Sequence, residues 1–228
     1  MAATTGARIS VLCSGNGTNL QALIDSCASD APESIHGNIV KVTVNRKGAY
    51  ATTRAEKAGI PTDYFNLVKD GYQKPGEKDA EKLKEARLRY DAALAERILQ
   101  DKPDLIVLAG WMHVLTTNFL RPVSAAGVPI INLHPALPGA YDGAGAIDRA
   151  YEDFKAGKLE NNTTGIMIHY VIAEVDRGEP ILVQKIKIEE GETLEDLERK
   201  IHGYEHELIV KATALLAEKI SAAKASKT

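Results

Sequence analysis

Cysteine is scarce in this chain: Cys13 and Cys27 are the only two among 228 residues. Two thiols make neither a disulfide framework nor a metal knuckle, so a reducing compartment is the expected setting. Basic charge is not in excess either. Lys and Arg number 28 against 31 Asp and Glu, a net charge of -3, which gives no reason to expect the concentrated basic surface of a nucleic-acid binder. The opening "MAATTGARIS" lacks the apolar core of a secretory signal. Long hydrophobic runs are also missing, because the greasiest region, residues 105–115, is interrupted by His113 and falls short of a membrane span. A cytoplasmic protein is the expectation from these absences, with neither nucleic acid nor membrane as a partner.

What is present is the mixture of an ordinary globular protein, 44% hydrophobic and 26% charged. The length suits one substantial domain over residues 1–228. "RISVLC" (8–13), "IVKVTV" (39–44), "DLIVLA" (104–109) and "VPIIN" (128–132) read as strands. Between them, "NLQALIDSCA", "YATTRAEKAG" and "GEKDAEKLKEARLRYDAALAERILQ" read as helices. Strands that are apolar throughout indicate burial on both faces of a parallel sheet, and the alternation predicts an α/β doubly wound domain with a mostly parallel sheet.

After Asn132 the pattern changes. A Gly- and Pro-rich loop, "HPALPGAYDGAG", leads into a helix and then two strands, "TGIMIHYVIA" and "PILVQKIKI". Their connection, "EVDRGE", has turn composition, so an antiparallel pair is expected in this C-terminal half. The final helix opens at an N-cap, Thr193, with Asp196 three residues on, and runs toward Ser221, leaving "AAKASKT" as a frayed tail. No linker or repeat separates the two halves, 8–127 and 128–221.

"LCSGNGTNLQALI" sets a strand, a turn and a helix in immediate succession. Gly15 and Gly17 let backbone amides face outward, and Thr18 and Asn19 open the helix with free N–H groups, which suits an anion. A tight strand-to-helix turn would have the same composition. The dinucleotide fingerprint needs glycine where Leu20 stands and an acid where Asn45 and Arg46 stand, and no Walker Gly-Lys-Ser/Thr follows. A phosphate monoester fits better than NAD or ATP.

"VPIINLHPALPG" raises a different question, because an apolar strand ends in an amide and an imidazole two residues apart. In extended backbone Asn132 and His134 project to one side, and Pro135 keeps His134 extended. An imidazole at the carboxyl edge of a sheet can transfer protons near neutral pH, and an amide can donate to an oxyanion. Both side chains could equally cap the loop. Asp176, in "EVDRGEP", is the candidate third member, although Asp-x-Gly is also ordinary turn chemistry.

Four stretches, "LCSGNGTNLQALID", "DLIVLAGWMHVL", "INLHPALPGAYDG" and "HYVIAEVDRGEPI", closely resemble in order and spacing the glycinamide ribonucleotide formyltransferase family, the third step of purine synthesis. The similarity runs over about residues 8–217, and "HPALPGAYDG" resembles the monofunctional fungal branch. The resemblance implies a formyltransferase Rossmann-like fold, transfer of a formyl group from 10-formyltetrahydrofolate to the glycyl amine of 5-phosphoribosylglycinamide, no metal, and a monomer or weak homodimer. It implies that residues 8–127 form a phosphate-binding half and 128–221 a folate-binding and catalytic half. Gly17, Thr18 and Asn19 would hold the substrate phosphate, and Glu205, with His202 nearby, would meet the amine or ribose. Asn132 would stabilise the oxyanion, His134 would act as acid and base, and Asp176 would raise the pKa of His134. The folate would lie against Asn132, between Met112, His113, Val114 and Leu115 on one side and Ile172, Ala173, Glu174, Val175 and Asp176 on the other. Arg87 matches a position that meets its carboxylate end; a solvated arginine on a charged helix would look the same.

Two departures stand out. Bacterial members carry histidines in the loop after the catalytic motif, where Gly145 and Ile147 stand here, and glutamine where His202 stands. "HGYEH" also matches the H-x-x-E-H zinc-peptidase pattern, but Gly203 is a poor helix residue and the full-length resemblance needs no metal. Formyltetrahydrofolate deformylase, which shares the Asn-His-Asp set, resembles a longer chain with an extra N-terminal domain. Methionyl-tRNA formyltransferase resembles this core with an added C-terminal domain. A folate- or phosphate-binding relative without chemistry is the alternative of another class.

Overall fold

The computed structural model describes residues 6–226. In chain order the elements are β1 (Ala7–Cys13), α1 (Thr18–Cys27), β2 (Gly37–Val44), α2 (Tyr50–Lys57), β3 (Thr62–Tyr64), α3 (Ala80–Gln100), β4 (Leu105–Leu108), α4 (Thr117–Ala125), β5 (Ile130–His134), α5 (Ala146–Lys155), β6 (Thr163–Tyr170), β7 (Pro180–Lys187) and α6 (Leu194–Ala225). The strands form one sheet in the order β3-β2-β1-β4-β5-β6-β7. The first five are parallel, whereas β6 runs antiparallel to both β5 and β7. The doubly wound sheet expected from the alternation is present, and its antiparallel part is wider than one pair. Strand order reverses at β1, which pairs with β2 on one side and β4 on the other. The loops leaving β1 and β4 therefore diverge and open a crevice at the carboxyl edge of the sheet.

Burial explains why these strands are apolar throughout. Ile9, Val11 and Cys13 of β1 and Leu105 and Val107 of β4 pack with Leu20 and Leu23 of α1 and Leu197, Ile201 and Ala212 of α6. Their neighbours Leu12, Ile106 and Leu108 face the other way, onto Tyr90 and Leu94 of α3 and Phe119 and Val123 of α4. On that second face Tyr90 stacks on Phe65 with ring centres 4.6 Å apart and donates from its hydroxyl to the Phe65 carbonyl at 2.8 Å. Both cysteines are free. Burial pushes the Cys13 thiol up to about 12 and that of Cys27 up to about 11, so neither is a nucleophile at neutral pH.

Two elements have no clear sequence pattern. β3 is three residues long, and α4 contains Pro122, which reads as a breaker because it lacks an N–H. Phe119 and Val123 are fully buried, and that packing outweighs the propensity cost. Elsewhere the boundaries move by a few residues. α3 begins only after Asp79, whose carboxylate accepts from the Glu81 and Lys82 N–H groups. α6 continues to Ala225, so most of the tail expected to fray is helical, and its last two residues lie outside the described residues. Among the described residues no helix is long and apolar enough to cross a membrane.

The start of α6 is the expected one. Thr193 Oγ1 accepts from the Asp196 N–H and Asp196 Oδ2 accepts from the Thr193 N–H, each at 3.2 Å, a reciprocal capping box. Thr193→Ala should cost about 1 kcal/mol and lower the thermal midpoint by roughly 2–4 °C. A calorimetric midpoint equal to that of the unaltered protein would show that packing of α6 alone fixes where it begins.

Candidate active site

β5 runs two residues further than its apolar pattern, through His134. Asn132 and His134 are thus both in extended backbone and project to one side. Antiparallel pairing sets Asn132 opposite His169 of β6 and His134 opposite Met167. Directly opposed residues share a face of the sheet, so β6 delivers a second imidazole beside the first pair. His169 is buried, at 2% exposure, and only the register places it here.

The loop after β6 closes the group from above with Asp176, whose carboxylate is shared by four partners. Oδ2 lies 3.3 Å from His134 Nδ1 and accepts from the Gly143 N–H at 2.8 Å. Oδ1 lies 3.4 Å from both His169 Nε2 and Asn132 Nδ2. His169 Nδ1 is 2.8 Å from the Tyr170 carbonyl and its Nε2 lies 3.3 Å from Asn132 Nδ2, so as an imidazolium it would donate from Nδ1 to that carbonyl and from Nε2 to Asp176. The other ring nitrogen of His134, Nε2, is 3.3 Å from the Ala140 carbonyl. An imidazolium at His134 would therefore find an oxygen acceptor at each N–H. Burial alone would push Asp176 up, but contact with His169, the Gly143 N–H and the positive charge available to the two imidazoles together hold its carboxyl below the usual range.

Backbone constraints fix that loop. Asp176 sits at a φ of 55°, a left-handed conformation that costs a non-glycine residue about 1 kcal/mol. Two residues on, a Cβ at Gly178 would stand 1.6 Å from the Tyr170 carbonyl oxygen, so only glycine permits the close return of the chain against the end of β6. Arg177 adds an ion pair to Asp142 at 2.6 Å. The loop carrying Asp176 and the loop following His134 are thereby joined both at the reactive centre and at the surface.

Asn132, His134, His169 and Asp176 line a cleft of about 510 Å³. Met112, His113, Val114 and Leu115 also line it, together with Ile172, Glu174 and Val175 and with Asn19, His202 and Glu205. Met112 and Val114 expose apolar side chains, 61% and 60%, as a flat hydrophobic ligand would require. Ala173 instead lines a neighbouring groove of about 880 Å³, which contains none of the ionisable groups of the centre. Arg87 does not line the cleft. Its Nη2 donates to the Val114 carbonyl at 2.8 Å and its Nε faces buried Asp91 at 3.1 Å, while Asp91 accepts from the Thr116 N–H at 2.7 Å. Arg87 thus shapes the 112–116 backbone from behind.

The first glycine loop enters from β1. Gly17 has φ 76° and no side chain caps α1, and the first α1 backbone bond runs from the Gln21 N–H to the Gly17 carbonyl. The N–H groups of residues 18–20 therefore remain available to an anion. Gly17 and Thr18 lie outside the cleft lining, which this loop reaches through Asn19. Ser14 joins the loop to residues 112–115: its hydroxyl accepts from the Met112 N–H at 2.9 Å. Burial pushes the Glu205 carboxyl up, against the pull of His202, Asn19 and His206. Among the described residues no group of three or more His, Cys, Asp or Glu is placed to hold a metal ion.

His113 stands against Tyr90 and Trp111, with its Nδ1 buried and without a protein partner. Burial, reinforced by Arg87 and Arg46, pushes its pKa down to about 4 from an ordinary 6.5. The folded protein keeps this ring neutral where the unfolded chain takes up a proton. Stability from His113 is therefore complete above about pH 6.5 and lost as pH falls toward about 4. His113→Gln should flatten that part of the pH dependence in denaturant unfolding, and an unchanged slope would show that other groups carry it.

Comparisons with known proteins place the chain in a family. The family described as "Formyl transferase" matches residues 7–213. A phosphoribosylglycinamide formyltransferase of Schizosaccharomyces pombe is 45% identical over 206 residues, covering 90% of this chain and 95% of that protein. One from Dictyostelium discoideum is 46% identical over 216 residues, covering 92% and 98%. Among solved structures, a glycinamide ribonucleotide transformylase of Geobacillus kaustophilus superposes with a TM-score of 0.77 at 29% identity, covering 93% of this chain and 99% of that one. One from Symbiobacterium toebii gives 0.76 at 34% identity, covering 94% and 89%. With its fold and nearly its whole length matched in this way, the chain belongs to the formyl transferase family.

Proposed function

We propose that this formyltransferase moves the formyl group of 10-formyltetrahydrofolate to the glycyl amine of 5-phosphoribosylglycinamide in purine synthesis. The observation that carries the reading is the convergence of Asn132, His134 and His169 on the Asp176 carboxylate, in a cleft that also reaches Asn19 and Glu205. The names of the relatives supply the acceptor, and a family that transfers formyl groups implies a folate-type donor. The setting is cytoplasmic and the partners are small molecules. The division of labour follows the two halves, with the phosphate loop in 8–127 and the catalytic group in 128–221.

The folate supplies a formyl carbon bound to N10. The glycyl amine attacks that carbon: a C–N bond forms, the bond to N10 breaks, and one proton passes from the amine to N10. Asn132 has two amide hydrogens. One faces His169 and Asp176, and the other donates to the oxygen as it gains charge. His134 carries the proton between the incoming and leaving nitrogens. Asp176, kept anionic, orients the His134 ring and balances its charge. Met112, Val114, Ile172 and Val175 hold the pterin and exclude water. Glu205 receives the amine, with His202 beside it. Gly17, Thr18 and Asn19 hold the phosphate, and Arg87 serves the folate by fixing the carbonyl of Val114.

The test is formyl transfer measured with and without phosphoribosylglycinamide. Folate turnover should require the ribonucleotide. Turnover in its absence would identify a deformylase, and no turnover in either case a binding protein. Asn132→Ala should lower kcat roughly 100- to 1,000-fold and His134→Ala about 100- to 10,000-fold. Because Asp176 is held below the usual carboxylate range, its titration should leave the rate untouched above about pH 4. An acid limb at higher pH that vanished in Asp176→Asn while activity survived would contradict its role as a fixed anion.

A further inference from the structure

The anion loop is gripped from outside by α2. Arg54 of α2 donates from Nε to the Asn16 carbonyl at 2.9 Å, from Nη2 to Asn16 Oδ1 at 2.8 Å, and from Nη1 to Gln21 Oε1 at 3.2 Å. The guanidinium also lies over the Tyr50 ring, 5.0 Å from its centre. The first turn of α2 completes the grip. The Ala51 N–H donates to the Gly15 carbonyl at 3.2 Å, and a Cβ on Gly17 would lie 2.8 Å from that of Ala51. Residues 15–17, which aim the free N–H groups of α1, are thus held at both ends by α2.

The partners of Arg54 are all neutral. Among the described residues it forms no ion pair, and its interactions are those just named. No acidic residue stands in the first turn of α1. An arginine used only as a clasp is better served by a carboxylate, which matches its fork and cancels its charge. Here the fork is satisfied by amides and the charge is left over, beside backbone donors that themselves favour an anion. Among the described residues the only carboxylate linked to the group is Asp25, which accepts from Gln21 Nε2 at 2.8 Å on the far side of that side chain.

We propose that Arg54 is a positioning residue for the substrate phosphate. It locks Asn16 so that the N–H groups of residues 18–20 converge, and it supplies positive charge that the loop itself lacks. The inference rests on the reading of this loop as the phosphate site. It requires no direct contact between Arg54 and the phosphate, because the grip acts through Asn16 and the charge acts over distance.

The experiment compares phosphoribosylglycinamide with its phosphate-free riboside as formyl acceptor, in the unaltered protein and in Arg54→Ala, Arg54→Lys and Asn16→Ala. The unaltered protein should strongly prefer the phosphorylated acceptor. Arg54→Ala should raise KM for that acceptor roughly 10- to 100-fold, the scale of one lost charge-assisted contact network. The folate KM and turnover of the riboside should change little, and competitive inhibition by inorganic phosphate should weaken in parallel. Arg54→Lys, which keeps the charge without the fork, should recover part of the loss, and Asn16→Ala should shift the same KM by less. Equal losses on both acceptors, or an unshifted KM for the phosphorylated one, would overturn the proposal. If Arg54→Ala does not fold, Asn16→Ala on its own decides between these outcomes. Indifference of the unaltered protein to the phosphate would overturn the phosphate reading of the loop, and this inference with it.

Discussion

One buried carboxylate organises the cleft. Asp176 reaches His134, His169, Asn132 and the Gly143 N–H from a single loop position. Such a group is costly to bury unless it is bonded on every side. Here the bonding is complete enough to hold it anionic despite burial. The constraint propagates outward. Asp176 accepts a left-handed backbone, Gly178 must remain without a side chain, and the loop after His134 is drawn in so that Gly143 can donate. The chemistry assigned to His134 depends on this arrangement, since without a fixed anion the ring has neither orientation nor a partner for its charge.

The sheet supplies the frame in which that carboxylate can matter. Strand order reverses at β1, so the loops leaving β1 and β4 part and make a crevice. Ser14 bridges those two loops, and Arg87 with Asp91 steadies the second from behind. The change to antiparallel pairing at β6 is equally necessary. It brings His169 opposite Asn132 and returns the chain above the carboxyl edge, where Asp176 can face down into the site. Helix dipole, backbone donors and the unneutralised Arg54 then serve one end of the crevice, and apolar walls the other.

Much of this is legible in the amino-acid order, because local rules govern it. Apolar strands, the two glycines of the first loop, the i, i+2 placing of Asn132 and His134, and the Thr193–Asp196 box each follow from backbone periodicity or a short-range bond. What escapes the sequence is set at long range. His169 joins the site only through the register of β5 and β6, which no local pattern encodes. Arg87 sits on a helix whose charges look solvated, and only folding shows it holding the Val114 carbonyl. Arg54 lies 38 positions from Asn16, so its grip on the loop has no linear signature. α4 was hidden by Pro122, and the extent of α6 by a polar tail.

The central claim is that His134 and Asp176 act as one unit rather than as two independent contributors. A double-mutant cycle on kcat/KM, with His134→Ala, Asp176→Asn and the pair together, tests it most directly. The account predicts that once either side chain is lost, removing the other costs less than about ten-fold more, because the unit is already broken. Losses that multiply, so that the double variant falls by the product of the two single effects, would contradict it.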